Sequence, residues 1–247
     1  MRTIDLNADL GEGAGTDKEL LKIVSSASIA CGGHAGDVST IRETLVAANI
    51  ANVVVGAHPG FADPEYFGRR RLDLPLSEIQ KQMAAQLETF QNIANEEGVP
   101  VRYVKLHGAL ANMAAEDEAL ASGVFSIVKQ HDASLAILAL DRSAQVHAAE
   151  ALGLPIMREA YADRAYTSEG MLVSRSEPGA VIEDASRMTE QCLRLAQNGE
   201  IITMDGSVIK SLARSICLHG DTPGAVKHAQ LIVQSLKDAG ISIASPL

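Results

Sequence analysis

A chain of 247 residues sits in the range, roughly 200 to 250, that an α/β barrel occupies as one domain, and a hydrophobic content of 47% supplies a core that excludes wholesale disorder. Twenty-one Lys and Arg against 31 Asp and Glu give a formal charge of −10, with 3% aromatics and no tryptophan. Neither phosphate attraction nor base stacking is on offer, so nucleic acid is excluded as a partner.

In chain order, short β-rich runs alternate with helical patterns. The pattern predicts strands over 3–8, 27–31, 52–57, 101–106, 134–140, 156–161 and 215–218. Helices are expected over 17–24, 39–48, 77–96, 116–129, 143–152, 183–197 and 223–239. Asp37, Ser77, Asp184 and Thr222 suit N-caps, Pro223 a first helical turn, and Gly98, Gly153, Gly199 and Gly240 helix stops. Residues 201–209 read as a hairpin around Asp205-Gly206 inserted before the last strand, and 165–181 as a loop over the barrel mouth. With no repeat or linker, the expectation is one domain over 1–247, a parallel β/α barrel of the TIM-barrel type. An open dinucleotide sheet is disfavoured, because Gly11-Glu12-Gly13-Ala14-Gly15 is followed by Thr16 where G-x-G-x-x-G needs its last glycine.

Cys31, Cys192 and Cys217 are widely spaced without a C-x-x-C, which suggests neither a disulfide framework nor a thiolate metal site and fits a cytoplasmic protein. The start carries no leader-like apolar region, and no run of about 18 apolar residues exists to span a membrane.

Splitting each strand into its two faces shows where chemistry collects. Asp5, Asn7 and Asp9 share one face of the first strand; Tyr103, Lys105 and His107 share one face of the fourth; Glu159 and Asp163 align on the sixth, and Cys217, His219 and Asp221 on the last. His34, His58, His107 and His219 fall at or just after strand ends, at the rim where barrels build active sites. Such a cluster suits a divalent cation, or a water activated by His107 or Asp9. It also suits a structural ion network in which Lys105 neutralises Asp5 or Asp9. Arg69-Arg70-Arg71 suits capture of a carboxylate or phosphate, or a solvated or subunit-contact cluster, while Asp163-Arg164 and Arg175 suit a lid or ion pairs. H-E-x-x-H is absent, so the residue types leave any metal unassigned.

Seven motifs in order carry a family resemblance: Asp5-Leu6-Asn7-Ala8-Asp9-Leu10-Gly11-Glu12, Ile29-Ala30-Cys31-Gly32-Gly33-His34-Ala35-Gly36-Asp37, Gly56-Ala57-His58-Pro59-Gly60, Phe67-Gly68-Arg69-Arg70, Val104-Lys105-Leu106-His107-Gly108-Ala109-Leu110, Glu159-Ala160-Tyr161-Ala162-Asp163-Arg164-Ala165-Tyr166, and Ile216-Cys217-Leu218-His219-Gly220-Asp221-Thr222-Pro223. From Ile4 to about Gly240 the chain resembles the LamB/YcsF family. The resemblance implies a seven-stranded barrel of the glycoside hydrolase/deacetylase type and ATP-dependent opening of 5-oxoproline to glutamate, with ADP and phosphate released, in company with B and C subunits of a 5-oxoprolinase. The implied route phosphorylates the lactam carbonyl oxygen, after which water attacks the activated carbon.

On that basis Asp9, Lys105, His107, His58 and His219 are the expected catalytic residues. Asp5, Asn7, His34, Asp37, Arg69, Arg70, Glu159, Asp163, Arg164 and Asp221 are expected to bind substrate or ATP. Within that division, Lys105 and the Arg69/Arg70 pair hold anions, Asp5 and Asp9 hold Mg²⁺ or a water, and a histidine moves protons. Two other readings stand beside it: an ATP-independent metal-dependent amide or N-acetyl hydrolase using Asp9, His34 and His58 as ligands, and a non-catalytic substrate-binding subunit. Three positions depart from the family pattern: Gly33 replaces an aromatic, Leu106 a proline and Ala111 a tyrosine. Loss of bulk at 33 and 111 is expected to admit a larger substrate.

Overall fold

The computed structural model describes residues 2–220 and 224–247. Strands β1 (Arg2–Leu10), β2 (Ser26–Ala30), β3 (Val54–His58), β4 (Val101–Val104), β5 (Ala136–Leu140) and β6 (Ile156–Tyr161) lie side by side in chain order, all parallel. Antiparallel β7 (Glu200–Ile202) and β8 (Val208–Lys210) follow as the expected hairpin. β9 (Ser215–His219) then inserts between β6 and β1, with Glu159 opposite Ser215 and Asp9 opposite His219, and closes a seven-stranded barrel. A further strand that the pattern did not predict, β10 (Ile241–Ile243), pairs with the first residues of β1.

Helices α1 (Asp17–Leu20), α2 (Val38–Ile50), α3 (Leu76–Glu96), α4 (Gly108–Glu116), α5 (Glu118–His131), α6 (Ala144–Leu152), α7 (Ala185–Asn198) and α8 (Ala225–Asp238) are threaded between the strands. None of them is long and apolar enough to cross a membrane. On α3, Ile79, Met83, Leu87, Phe90 and Ile93 recur every three or four residues and are all buried; each contributes about 1.5–3 kcal/mol by leaving water. Asp37 and Asp184 cap α2 and α7 as expected, accepting from the backbone N–H of Thr40 and Arg187. The expected cap at Ser77 is corrected: α3 begins at Leu76 behind Pro75, which leaves Ser77 inside the first turn. The first helix stops at Leu20 rather than at 24, because Ser25 already donates from its hydroxyl to Asp5 and β2 starts at Ser26. Helix α4 was not expected; its motif-bearing start, Gly108-Ala109-Leu110, continues into an alanine-rich turn. Thr222 and Pro223 lie outside the described residues, as does Asp221.

Outward strand faces (Ile4, Leu6, Ala8, Leu10 on β1) join the helices in one large apolar core. Inside the barrel, Tyr103, Leu138 and Met157 pack together at the amino-terminal end of the strands, and the polar residues of the lumen lie toward the carboxyl ends. Tyr103 fits because Gly56, across a register shift between β3 and β4, has no side chain: a Cβ there would meet the Tyr103 ring at 2.2 Å. Gly56→Ala is therefore expected to destabilise the fold by about 1–3 kcal/mol through overpacking. Urea unfolding measures this, and an unchanged midpoint contradicts such tight packing.

Candidate functional site

Lys105, just beyond the end of β4, is buried in the lumen with its ammonium 2.9 Å from Asp9 Oδ1, 3.2 Å from Glu159 Oε2, 3.2 Å from Asn7 Oδ1 and 3.0 Å from Cys217 Sγ. An ammonium has three protons, so these four neighbours consume its donor capacity. Lys105 is thus placed to hold the lumen together rather than to meet an incoming anion. Burial alone would raise Asp9, yet His58 and Lys105 overcome it and hold the carboxyl well below the usual range. Burial opposes the charge on Lys105 too, but Asp9 and other acidic neighbours push its pKa well up. Glu159 is raised by burial, with Lys105 opposing, and also accepts from the Tyr161 hydroxyl. Asp5 lies deeper: Ser25 and Ser26 donate to Oδ1 at 2.6 Å each and Ser215 donates to Oδ2. Both its oxygens are engaged, and Asp5 does not line the pocket at the barrel mouth.

Above this layer three imidazoles gather around Glu12. Its Oε1 is 2.9 Å from His34 Nε2, 3.2 Å from His107 Nδ1 and 3.7 Å from His58 Nε2, and His58 Nε2 is 3.4 Å from Asp9 Oδ2. The His34 and His107 rings stack 3.5 Å apart. Burial pushes His34 down to about 4, against the pull of Glu12, and lowers His107 likewise, whereas Asp9 and Glu12 outweigh burial at His58 and raise it. Glu12, His34, His58 and His107 each offer one metal-ligating atom, all within 4.8 Å of one another. Glu12 escapes a face-by-face reading because it lies beyond the end of β1. Gly11, at φ 73°, reverses the chain there, and the glycines flanking Glu12 were the available signal.

The cluster opens on a pocket of about 440 Å³ whose wall includes Asp9, His58, His107 and His219 together with Arg69, Arg71, Arg164 and Arg175. His219 Nδ1 donates to Asp163 at 2.9 Å, its Nε2 accepts from Arg175 at 3.3 Å, and Tyr161 stacks on the ring. Asp163 is held below its ordinary value: burial raises it, and His219 and the arginines prevail. Arg164 is tied to the carbonyls of Val173 and Ala180, so the expected loop over the mouth is anchored, and residues 171–175 line the pocket.

Besides Asp5, two expected binding residues stand elsewhere. Asp37 is an exposed helix cap, and Arg70 pairs with Asp63 at 3.1 Å and lies over the Tyr66 ring. Arg71, which pairs with Glu116, lines the pocket beside Arg69 instead. The departures also sort out: a Cβ at Gly33 would lie 2.3 Å from Gln86 Oε1, and Gln86 is fixed by both backbone groups of Gly60. Gln86 of α3 thus fills the space beside Gly33, while Ala111 and Leu106 line the pocket.

The LamB/YcsF family model matches residues 4–247. The chain is 44% identical over 250 residues to 5-oxoprolinase A subunit 2 of Bradyrhizobium diazoefficiens, covering 99% of this chain and 98% of the relative. It is 45% identical over 250 residues to the 5-oxoprolinase A subunit of Kocuria rhizophila, covering 99% of each. The structure is similar to that of the lactam utilization protein from Thermus thermophilus, with a TM-score of 0.91 and 35% identity over 98% of this chain and 99% of that one. A family 4 carbohydrate esterase from Streptomyces lividans, at 12% identity and a TM-score of 0.54 over 99% and 92% of the chains, shares the fold alone.

Removing the Lys105 ammonium strands two buried carboxylates. Lys105→Met is expected to cost about 3–5 kcal/mol in urea unfolding; a loss below about 1 kcal/mol would show that the lumen carboxylates do not depend on it.

Proposed function

The chain belongs to the LamB/YcsF family, and from that premise we propose that it is the A subunit of an ATP-dependent 5-oxoprolinase, working with B and C subunits to open the lactam ring of 5-oxoproline to glutamate. The observation that carries this reading is the pocket itself, lined by four arginines together with Asp9, His58, His107 and His219 in a chain of net charge −10. Near-full-length similarity to relatives named as the 5-oxoprolinase A subunit supports it.

A lactam is a stable amide, so ring opening needs an anion site for the substrate carboxylate, activation of the carbonyl and a group that moves protons. Arg69 and Arg175 suit the carboxylate and the phosphate oxygens of ATP, by bidentate contact, while Arg164 anchors the loop through the Val173 and Ala180 carbonyls and Arg71 is held by Glu116. Mg²⁺ would enter on those phosphate oxygens, since the oxygens of Asp5 are committed to serines and those of Asp9 are shared between Lys105 and His58. His219 is the proton carrier. Asp163 fixes its orientation through Nδ1, and when Arg175 turns from Nε2 to an incoming anion, that nitrogen takes a proton from the attacking water and returns it to the ring nitrogen as the C–N bond breaks. Asp9, kept ionised, orients the water. The unbridged cysteines accord with a reducing compartment such as the cytoplasm.

The test is release of glutamate and ADP from 5-oxoproline and ATP-Mg²⁺ in a mixture of this chain with the B and C subunits. Product is expected from the complete mixture, and none when this chain is left out. His219→Ala should lower kcat about 10²–10⁴-fold, and Arg69→Ala should chiefly raise KM. An inactive complete mixture overturns the reading. Turnover without ATP would favour the amide-hydrolase alternative, and full activity of His219→Ala a binding-only role.

A further inference from the structure

The protons around Glu12 are already spoken for. His58 Nδ1 donates to the Lys105 carbonyl at 2.9 Å and His107 Nε2 to the Phe67 carbonyl at 2.9 Å. A neutral imidazole has one N–H, so His58 Nε2 and His107 Nδ1 are left as bare lone pairs, yet they face each other at 2.9 Å. Both also face Glu12 Oε1, a third lone-pair bearer, which His34 Nε2 approaches at 2.9 Å. The remaining His34 nitrogen, Nδ1, is buried without a hydrogen-bond partner. One added proton on His58 relieves the contact between the two imidazoles but leaves the His107 lone pair against the Glu12 carboxylate. A cation among them satisfies the lone pairs of His58 Nε2, His107 Nδ1 and Glu12 Oε1 at once. Charge points the same way: the side chains of Asp9, Glu12 and Glu159 are each 5% exposed or less, and among the described residues Lys105 is the single ammonium there, paired with Asp9 and Glu159.

We propose that Glu12, His34, His58 and His107 form a binding site for a divalent first-row transition metal such as zinc, with Asp9 as a neighbouring carboxylate. Three imidazole nitrogens and one carboxylate oxygen are the donor set of such ions, whereas Mg²⁺ takes oxygen ligands. Bonds of about 2.1 Å in a tetrahedral site place ligand atoms about 3.4 Å apart, and Glu12 Oε1 lies 2.9, 3.2 and 3.7 Å from His34 Nε2, His107 Nδ1 and His58 Nε2. The ligands are also held from behind. The Lys105 and Phe67 carbonyls fix the outward nitrogens of His58 and His107, the arrangement that orients metal-bound histidines. Gly68 gives the stacked pair its room, since a Cβ there would come within 2.8 Å of His34 Cβ and 3.1 Å of His107 Cδ2. His58 and His107 line the arginine-bearing pocket, so a bound metal faces whatever substrate enters.

The experiment is a titration of chelator-stripped protein with Co²⁺ followed by Zn²⁺, read by visible absorption, by metal content and by thermal unfolding. About one Co²⁺ per chain with ligand-field bands is expected. Zn²⁺ should abolish the bands and raise Tm, while excess Mg²⁺ leaves them unchanged. Glu12→Gln and His34→Asn should each weaken Zn²⁺ binding at least about tenfold, whereas His147→Ala, on an exposed face of α6, should not. Absence of stoichiometric Co²⁺ binding by the wild-type chain overturns the proposal even where a variant fails to fold, and so does equal affinity in folded variants. Because no turnover is measured, metal binding can stand while the 5-oxoprolinase reading falls, or the reverse.

Discussion

The buried ammonium of Lys105 is the interaction on which the rest of the barrel's upper half depends. Three chain segments far apart in sequence supply its partners: Asn7 and Asp9 from β1, Glu159 from β6 and Cys217 from β9. A carboxylate enters a barrel lumen at a cost of several kcal/mol unless it is paired. Meeting that cost with one central cation also joins β1, β6 and β9, the strands whose mutual pairing closes the ring. Closure and the charge layer are two aspects of one arrangement. Beneath it, Tyr103, Leu138 and Met157 form a buried apolar cluster.

The charge layer sets up the layer above it. Asp9, held ionised by Lys105 and His58, biases His58 toward its charged form, and His58 in turn leans on His107. Glu12 draws His34 and His107 into a stacked pair. Across the pocket, Asp163 and His219 form a separate pair with its own arginine neighbour. The pocket therefore has two chemically distinct walls, a nitrogen-rich corner suited to a cation and an Asp–His pair suited to proton movement. Arginines around the mouth favour anions in a protein whose net charge would otherwise repel them.

Much of this was legible in the sequence because strands alternate. Period-two reading of residues 3–9 put Asp5, Asn7 and Asp9 inside, and the same reading of β4 and β9 put Lys105 and Cys217 with them. Alternation does not report depth, however. Asp5 has the same pattern as Asp9 but lies among serines of β2 and β9, a contact between strands that the sequence separates widely. Nor does alternation extend past a strand end, so it does not report Glu12, and it cannot choose between Arg70 and Arg71 because the loop between β3 and α3 has no period to read. Helix α4 was hidden by its overlap with a motif, and β10 by its brevity.

The central claim, that Asp9 is kept ionised at the base of the site by His58 and Lys105, is tested most directly by ¹³C NMR titration of the Asp9 side-chain carboxyl in the folded protein. The account predicts that the Asp9 resonance stays at its ionised position as pH is lowered through the ordinary aspartate range. A midpoint at or above that of an exposed aspartate would contradict it, and would leave the lumen cluster as packed filler rather than the charged base of a site.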